Sequence, residues 1–204
     1  MHPNPAFRHE TRARHLAFAR GRAFGALAVN AEAGPLLSHV PFLLDEAGKT
    51  ADLHLVRSNP IARLPDGPAV IAVAGPDGYV SPDWYGMPDQ VPTWNYVAVH
   101  LRGRLERLPE DALTGLLARQ SAAYEARLAP KPAWTLDKMS SDALARLLRA
   151  ILPFRLRIES VDGTWKLGQN KADAARLGAA DRIAGGGLGQ ELAALAGLMA
   201  RPEG

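Results

Sequence analysis

Trp165-Lys166-Leu167-Gly168-Gln169-Asn170-Lys171 gathers an indole, two amines and two amides into seven residues. An indole can border a heteroaromatic ligand while neighbouring amides bond its edge. The same string also suits a hairpin tryptophan that closes a barrel end, with its polar neighbours in water. Arg57-Ser58-Asn59 sets a guanidinium fork, a hydroxyl and backbone donors where a strand end opens a helix. That combination holds a phosphate monoester. Its plainer counterpart is a capped helix start beside a surface arginine.

His39, His54 and His100 each fall on an expected strand, and imidazoles from adjacent strands can converge on a divalent metal. No carboxylate stands at ligand spacing beside them, so each is read as a hydrogen-bonded interior or wall residue and no metal is assigned. Neither G-x-S-x-G nor H-E-x-x-H occurs, which disfavours a hydrolase. The chain has no cysteine, so disulfides, thiolate metal sites and cysteine nucleophiles are excluded. Asp83, Asp89 and Glu106 read as solvated acids, and no residue is assigned as a catalytic acid or base.

Between Gly75 and Tyr96 lie five of the eight Trp and Tyr residues: Tyr79, Trp84, Tyr85, Trp94 and Tyr96. Pro76, Pro82, Pro88 and Pro92 share the stretch. Each proline removes a backbone donor and fixes φ, so the expectation is a long ordered loop with neither a regular helix nor a central strand. Such loops cover a ligand or anchor themselves by their aromatics, and the segment alone fits both.

The elements that must position these residues follow from periodicity and punctuation. A first helix is expected over 9–20, ending near Gly21. Phe24 to Asn30 and Leu36 to Leu44 read as a hairpin through Glu32-Ala33-Gly34-Pro35. Ala51 to Arg57 is a third strand, and a short helix starts at Pro60, capped by Ser58 or Asn59. Ala69 to Ala74 is a continuous apolar run that suits a fully buried strand. Val97 to Leu108 forms a long strand with one wet face, where Gly103 marks a bulge or a close approach.

Two helices follow, one opened by Pro109-Glu110-Asp111 and one capped by Ser140 or Ser141 and terminated by Pro153. Phe154 to Glu159 alternates strictly as a strand. Asp162-Gly163 is a turn signal, so Thr164 to Leu167 should return beside it. The tail carries helical stretches near 171–183 and 190–200, separated by a glycine-rich linker at 184–189. Helix, several strands, a two-helix insertion and further strands argue for an antiparallel barrel with helices packed at its ends. The expected division is a barrel domain over 1–168 and a helical tail over 169–204.

At 204 residues and 47% apolar composition the chain can bury one substantial core. It has no run near the roughly 20 apolar residues that cross a bilayer and no apolar leader, which predicts a soluble, non-exported, cytoplasmic protein. The net charge is +3, and residues 1–22 alone hold five arginines against Glu10, so the remainder carries −1. An arginine-rich leader helix is compatible with phosphate binding, though a solvated face is the commoner explanation. No zinc-finger spacing, RNP-like aromatic pattern or helix-turn-helix is present.

Taken jointly, Ser38-His39-Val40-Pro41-Phe42-Leu43-Leu44, Arg57-Ser58-Asn59-Pro60, Tyr79 to Tyr85, Val91-Pro92-Thr93-Trp94-Asn95-Tyr96 and Trp165 to Lys171 resemble the PaiB family. Its members are called transcriptional regulators and belong to the FMN-binding split-barrel superfamily, with pyridoxamine-phosphate oxidase and flavin reductases. The resemblance covers nearly all of residues 5–180. It implies a mainly β fold, a six-stranded antiparallel split barrel with peripheral helices and a helical tail, in a homodimer with flavin at the subunit interface.

By the same resemblance, His39, with Pro41 and Phe42 presenting backbone, and Arg57, Ser58 and Asn59 take the positions that hold the FMN phosphate. Thr93, Trp94 and Asn95 supply isoalloxazine contacts, and Trp165, Lys166, Gln169, Asn170 and Lys171 complete the cofactor set. The chain departs from the oxidases at Asn59 or Pro60, where they carry a lysine, and at Ala98, where they carry a glutamine. The expected function is that of an FMN-binding protein, either a flavin-dependent oxidoreductase or a flavin-responsive regulator. The alternatives are a DNA-binding negative regulator and a small-molecule-binding barrel without flavin.

Overall fold

A computed structural model describes residues 2–202. Among them the chain forms, in order, α1 (Arg12–Arg22), β1 (Phe24–Ala31), β2 (Gly34–Pro41), β3 (Leu43–Leu44), β4 (Thr50–Val56) and β5 (Gly67–Val80). After these come β6 (Thr93–Arg107), α2 (Ala112–Glu125), α3 (Ser141–Leu148), β7 (Ile151–Lys166), α4 (Asp173–Ala184), β8 (Gly189–Gln190) and α5 (Leu192–Ala200). The strand order is β2-β1-β5-β6-β7-β4-β3, with β8 on β5. β1 pairs antiparallel with β2 and β5, and β4 with β3 and β7. Since β3 and β8 are two residues each, six long strands remain, as the family resemblance implies.

The described residues group into two compact units. The first takes in residues 2–18, Val73–His100 and residues 162–202. Its core joins Val80, Tyr85, Val97, Trp165 and Leu167 to the small and aliphatic residues of α4 and α5, among them Ala179, Ile183, Leu195 and Met199. The second takes in Ala19–Ala72 and Leu101–Val161. Leu27, Leu53, Ile71, Leu101, Leu116 and Leu156 are fully buried there, each worth roughly 1.5–3 kcal/mol of apolar transfer.

Several local expectations are corrected. The loop expected over 75–96 is shorter, because β5 runs on to Val80 and β6 begins at Thr93. Pro76 is tolerated because it falls between the part of β5 paired with β1, ending at Ala72, and the part paired with β8, starting at Asp77. The remaining segment turns through a 3₁₀ helix at Pro82–Tyr85. Ala69 to Ala74 is not fully buried but alternates, with Ala74 exposed. β6 starts four residues before the expected Val97.

Asp162-Gly163 makes no turn, since β7 is one strand from Ile151 to Lys166. Gly163 is required for a different reason. A Cβ there would stand 2.1 Å from His15 Cε1, so the residue permits close approach of the imidazole. Gly103 serves likewise, as its Cβ would lie 1.8 Å from the Arg157 carbonyl oxygen. Pro153 does not stop α3, which ends at Leu148, and instead lies within β7 opposite His54. In the glycine-rich segment Tyr79 N donates to Leu188 O at 2.8 Å, so part of the expected linker is the strand β8. The hairpin of β1 and β2, the Ser140 cap of α3 and the 3₁₀ turn opened by Pro60 form as expected.

Candidate functional site

Unit one holds a cavity of about 180 Å³ at the ends of β6 and β7. Thr93 and Asn95 enter from β6, Lys166 from β7, and Gly168, Asn170 and Lys171 from the turn that follows. Asn4, Phe7, Tyr85 and Val91 complete the wall. Lys166 Nζ donates to Thr93 Oγ1 and stands 5.9 Å from the centre of the Phe7 ring. Lys171 Nζ donates to Gln90 Oε1 and stands 5.1 Å from the centre of the Tyr85 ring. Both ammonium groups therefore have only neutral partners among the described residues, and no carboxylate lines the cavity. Burial, and then the charge of Lys171, hold the Lys166 amine below the ordinary lysine value.

The walls of this cavity are stiffened from behind. Trp165 is buried and gives its indole N–H to His15 Nδ1 at 3.1 Å, while the Arg14 guanidinium lies 4.2 Å over the ring. Phe18 meets the same indole edge to face at 5.4 Å. Gln169 folds back on its own turn, its Oε1 accepting from Leu167 N at 2.8 Å and its Nε2 donating to Trp165 O at 2.6 Å. Asn95, 1% exposed, donates to Met199 Sδ of α5 at 3.5 Å. On the other side His2 N donates to Thr164 Oγ1 at 3.2 Å and holds residues 2–7 along the strand end.

Of the sequence candidates, the cavity thus brings together Thr93, Asn95, Lys166, Asn170 and Lys171. Trp165 and Gln169 support it without lining it. Trp94 lies outside it, donating to Asp77 Oδ1 at 3.0 Å and meeting Tyr79 edge to face. Tyr85 is 4% exposed in the core of the unit and forms part of the cavity wall. Asn4 and Phe7 were missed, because only the fold brings them to a strand end more than 80 residues away in sequence.

The other candidates lie in unit two. Arg57 is exposed and its fork is filled: Nη1 and Nη2 bond the two oxygens of Glu110 at 3.2 and 2.9 Å, and Nε bonds Arg149 O at 3.0 Å. The Asn59 Oδ1 caps the 3₁₀ turn by accepting from Ile61 N, and its Nδ2 donates to Ser38 Oγ at 3.0 Å. Ser58 is exposed, and His39 stacks on Phe24 at 6.3 Å. Pro41 pairs with Phe24 in β2, and buried Phe42 bonds Ala23 O through its N–H and Tyr124 through its carbonyl. Among the metal candidates, His54 is bonded by Gln120 and held below the ordinary histidine value by burial, and its Nδ1 has no partner among the described residues. No group of three or more potential ligands converges among the described residues.

The family described as "Putative FMN-binding domain" matches residues 1–160. The chain belongs to that family. FMN is the cofactor this membership brings. A curated relative, "Protease synthase and sporulation protein PAI 2" of Bacillus subtilis, is 28% identical over 158 residues, covering 76% of this chain and 75% of the relative. The FAD and heme binding protein of Mycobacterium smegmatis has a similar structure, with a TM-score of 0.58 at 21% identity over 90% of this chain and 82% of that one. The flavocytochrome Anf3 of Azotobacter vinelandii gives 0.58 at 14% identity over 81% and 72%. These likenesses place the fold as the antiparallel split barrel of flavin-binding type.

The residues present fit one end of such a cofactor. Two cations, hydroxyl and amide donors and aromatic rings suit an anionic, flat molecule. At about 180 Å³ the cavity is smaller than the roughly 300–1,000 Å³ that encloses a whole ligand of that kind.

Proposed function

We propose that this member of the FMN-binding family holds FMN as a cytoplasmic homodimer and serves as a flavin-dependent oxidoreductase. The observation that supports it is the acid-free cavity of unit one, with Lys166 and Lys171 over Phe7 and Tyr85. When bound, the flavin would supply the redox chemistry. The chain's part is to orient it: the lysines hold negative charge, Asn95 and Asn170 offer amides, and the aromatic wall excludes water.

What one protomer lacks supports the homodimer reading. The cavity is too small to enclose the ligand, and Val91 on its rim is 70% exposed. A second copy closing over that rim would cover apolar surface and complete the enclosure. The arginines of the leader segment do not favour the DNA reading. Arg8 pairs with Asp162, Arg14 bonds Glu10 and Pro202 O, and Arg20 bonds the carbonyls of Asp45 and Glu46.

The test is an absorbance spectrum of the purified protein followed by titration with FMN, with mass measured by light scattering. Yellow dimeric protein, or saturable uptake at micromolar FMN, is the expected result. A colourless protein that takes up no FMN at tens of micromolar would sink the proposal.

A further inference from the structure

We infer that Lys166 and Lys171 together seat a compact dianion, the phosphate monoester group of the ligand, and that Arg57-Ser58-Asn59 does not. The inference deepens the flavin reading and rests on it for the source of the phosphate.

Two partly buried ammonium groups on one small cavity repel each other, and nothing lining it compensates them. Elsewhere in the unit buried or half-buried cations do meet acids: Arg14 pairs with Glu10 and Arg176 with Asp173. A ligand carrying two negative charges supplies what the lysines lack, and charge-assisted bonds to a phosphate are among the strongest available. Thr93 Oγ1, the buried Asn95 and Asn170 add neutral hydrogen-bonding groups around the same space. Lysine suits the task as a compact point charge with rotatable donors.

The phosphate string expected from the family is already satisfied. Glu110 stands on the Arg57 fork as a phosphate would, bonding both terminal nitrogens, and Arg107 donates to the same carboxylate at 2.9 Å. Asn59 spends both ends of its amide on Ser38 and Ile61 N. A phosphate there would first have to displace a carboxylate, whereas at the lysines it displaces neutral partners.

The experiment compares FMN with riboflavin, which differ by the phosphate, on full-length protein and on K166M, K171M, K166R and R57M, with circular dichroism to check folding. K166M and K171M are each expected to weaken FMN about tenfold or more and to leave riboflavin unchanged. K166R should retain most of the discrimination and R57M all of it. Equilibrium dialysis with inorganic phosphate gives the second arm. Competition between phosphate and FMN identifies the flavin's own phosphate. Phosphate uptake beside bound FMN, or without any flavin binding, identifies a separate phosphorylated small molecule in the same seat. Both results require that the lysine variants lose the phosphate. If FMN discrimination and phosphate uptake are indifferent to K166M and K171M, or if R57M is the variant that loses them, the inference is wrong even where flavin binding itself stands.

Discussion

His15 Nδ1 accepts the indole N–H of Trp165 at 3.1 Å, and the same imidazole fills the space that a side chain on Gly163 would need. A helix residue and a strand glycine are thereby fitted to one another, and Lys166 inherits its position from that fit. Gly163→Ala should destabilise the fold by about 1–3 kcal/mol through overpacking. His15→Ala should cost about the same, because the buried indole N–H loses its acceptor. In the double variant the alanine at 15 clears the clash, so urea denaturation should show less than the sum, by about 1 kcal/mol. Strict additivity would mean that the two residues do not share this space.

Acid should act through two histidines, the buried His15 and the half-buried His54. Burial holds His15 and His54 below the ordinary value of 6.5; in His15 acids at Glu10 and Asp162 oppose it, and in His54 the Gln120 bond does. The unfolded chain then binds protons first as the pH falls. Stability is fully present above 6.5 and declines as the pH drops through that value towards the folded-state values. Denaturation midpoints between pH 8 and 5 should fall, and His54→Gln should remove up to about one proton from the slope. A flat profile in the wild-type chain would contradict this assignment.

Asp52 joins β4, α2 and β7 inside unit two. Its carboxylate accepts from Arg155 at 2.6 and 2.9 Å and from Arg119 at 2.9 Å. Burial alone would raise its pKa, but the Arg155 and Arg119 bonds outweigh it and hold the group below the ordinary aspartate value. Asp52→Asn leaves two guanidinium groups around a neutral amide and should cost about 3 kcal/mol. Arg119 is 56% exposed in its side chain and Arg155 31%. Arg119→Ala should therefore cost under about 1 kcal/mol and Arg155→Ala clearly more. Equal losses would show that exposure does not rank the pair.

The strands of the barrel were legible because alternation and turn residues act locally: β1, β4, the β1–β2 hairpin and the Ser140 N-cap of α3 lie where the pattern puts them. What escaped was set by distant packing. Asp162-Gly163 has turn chemistry, yet the glycine serves an imidazole from residue 15. Pro76 reads as a strand breaker until β5 is seen to change partners beside it. The site divides in the same way. Thr93, Asn95, Lys166, Asn170 and Lys171 stand in strings that point to a ligand when taken jointly, whereas Asn4 and Phe7 carry no local signal. Nor does the sequence reveal that Glu110 fills the Arg57 fork, since no periodicity relates a strand end to the start of a helix 53 residues later.

Arg176 ties the tail to the site. Its buried guanidinium donates to the carbonyls of Met199 and Ala200 at the end of α5 and to Asp173 Oδ1 at 2.7 Å. Those carbonyls are among the last four of the helix, which have no partner inside it. Met199 in turn accepts from Asn95 Nδ2, so α5 is latched at one end to α4 and to the cavity wall. Arg176→Met keeps much of the apolar bulk and removes the donors, leaving buried carbonyls unmet at about 1–3 kcal/mol. Amide exchange across 192–200 should then quicken, and ligand affinity should weaken through Asn95 although position 176 does not line the cavity. Met199→Leu separates the two links, because it keeps the helix packed while taking away the Asn95 acceptor. It should lower affinity with little change in exchange, and the reverse pattern would show that the latch and the amide are independent.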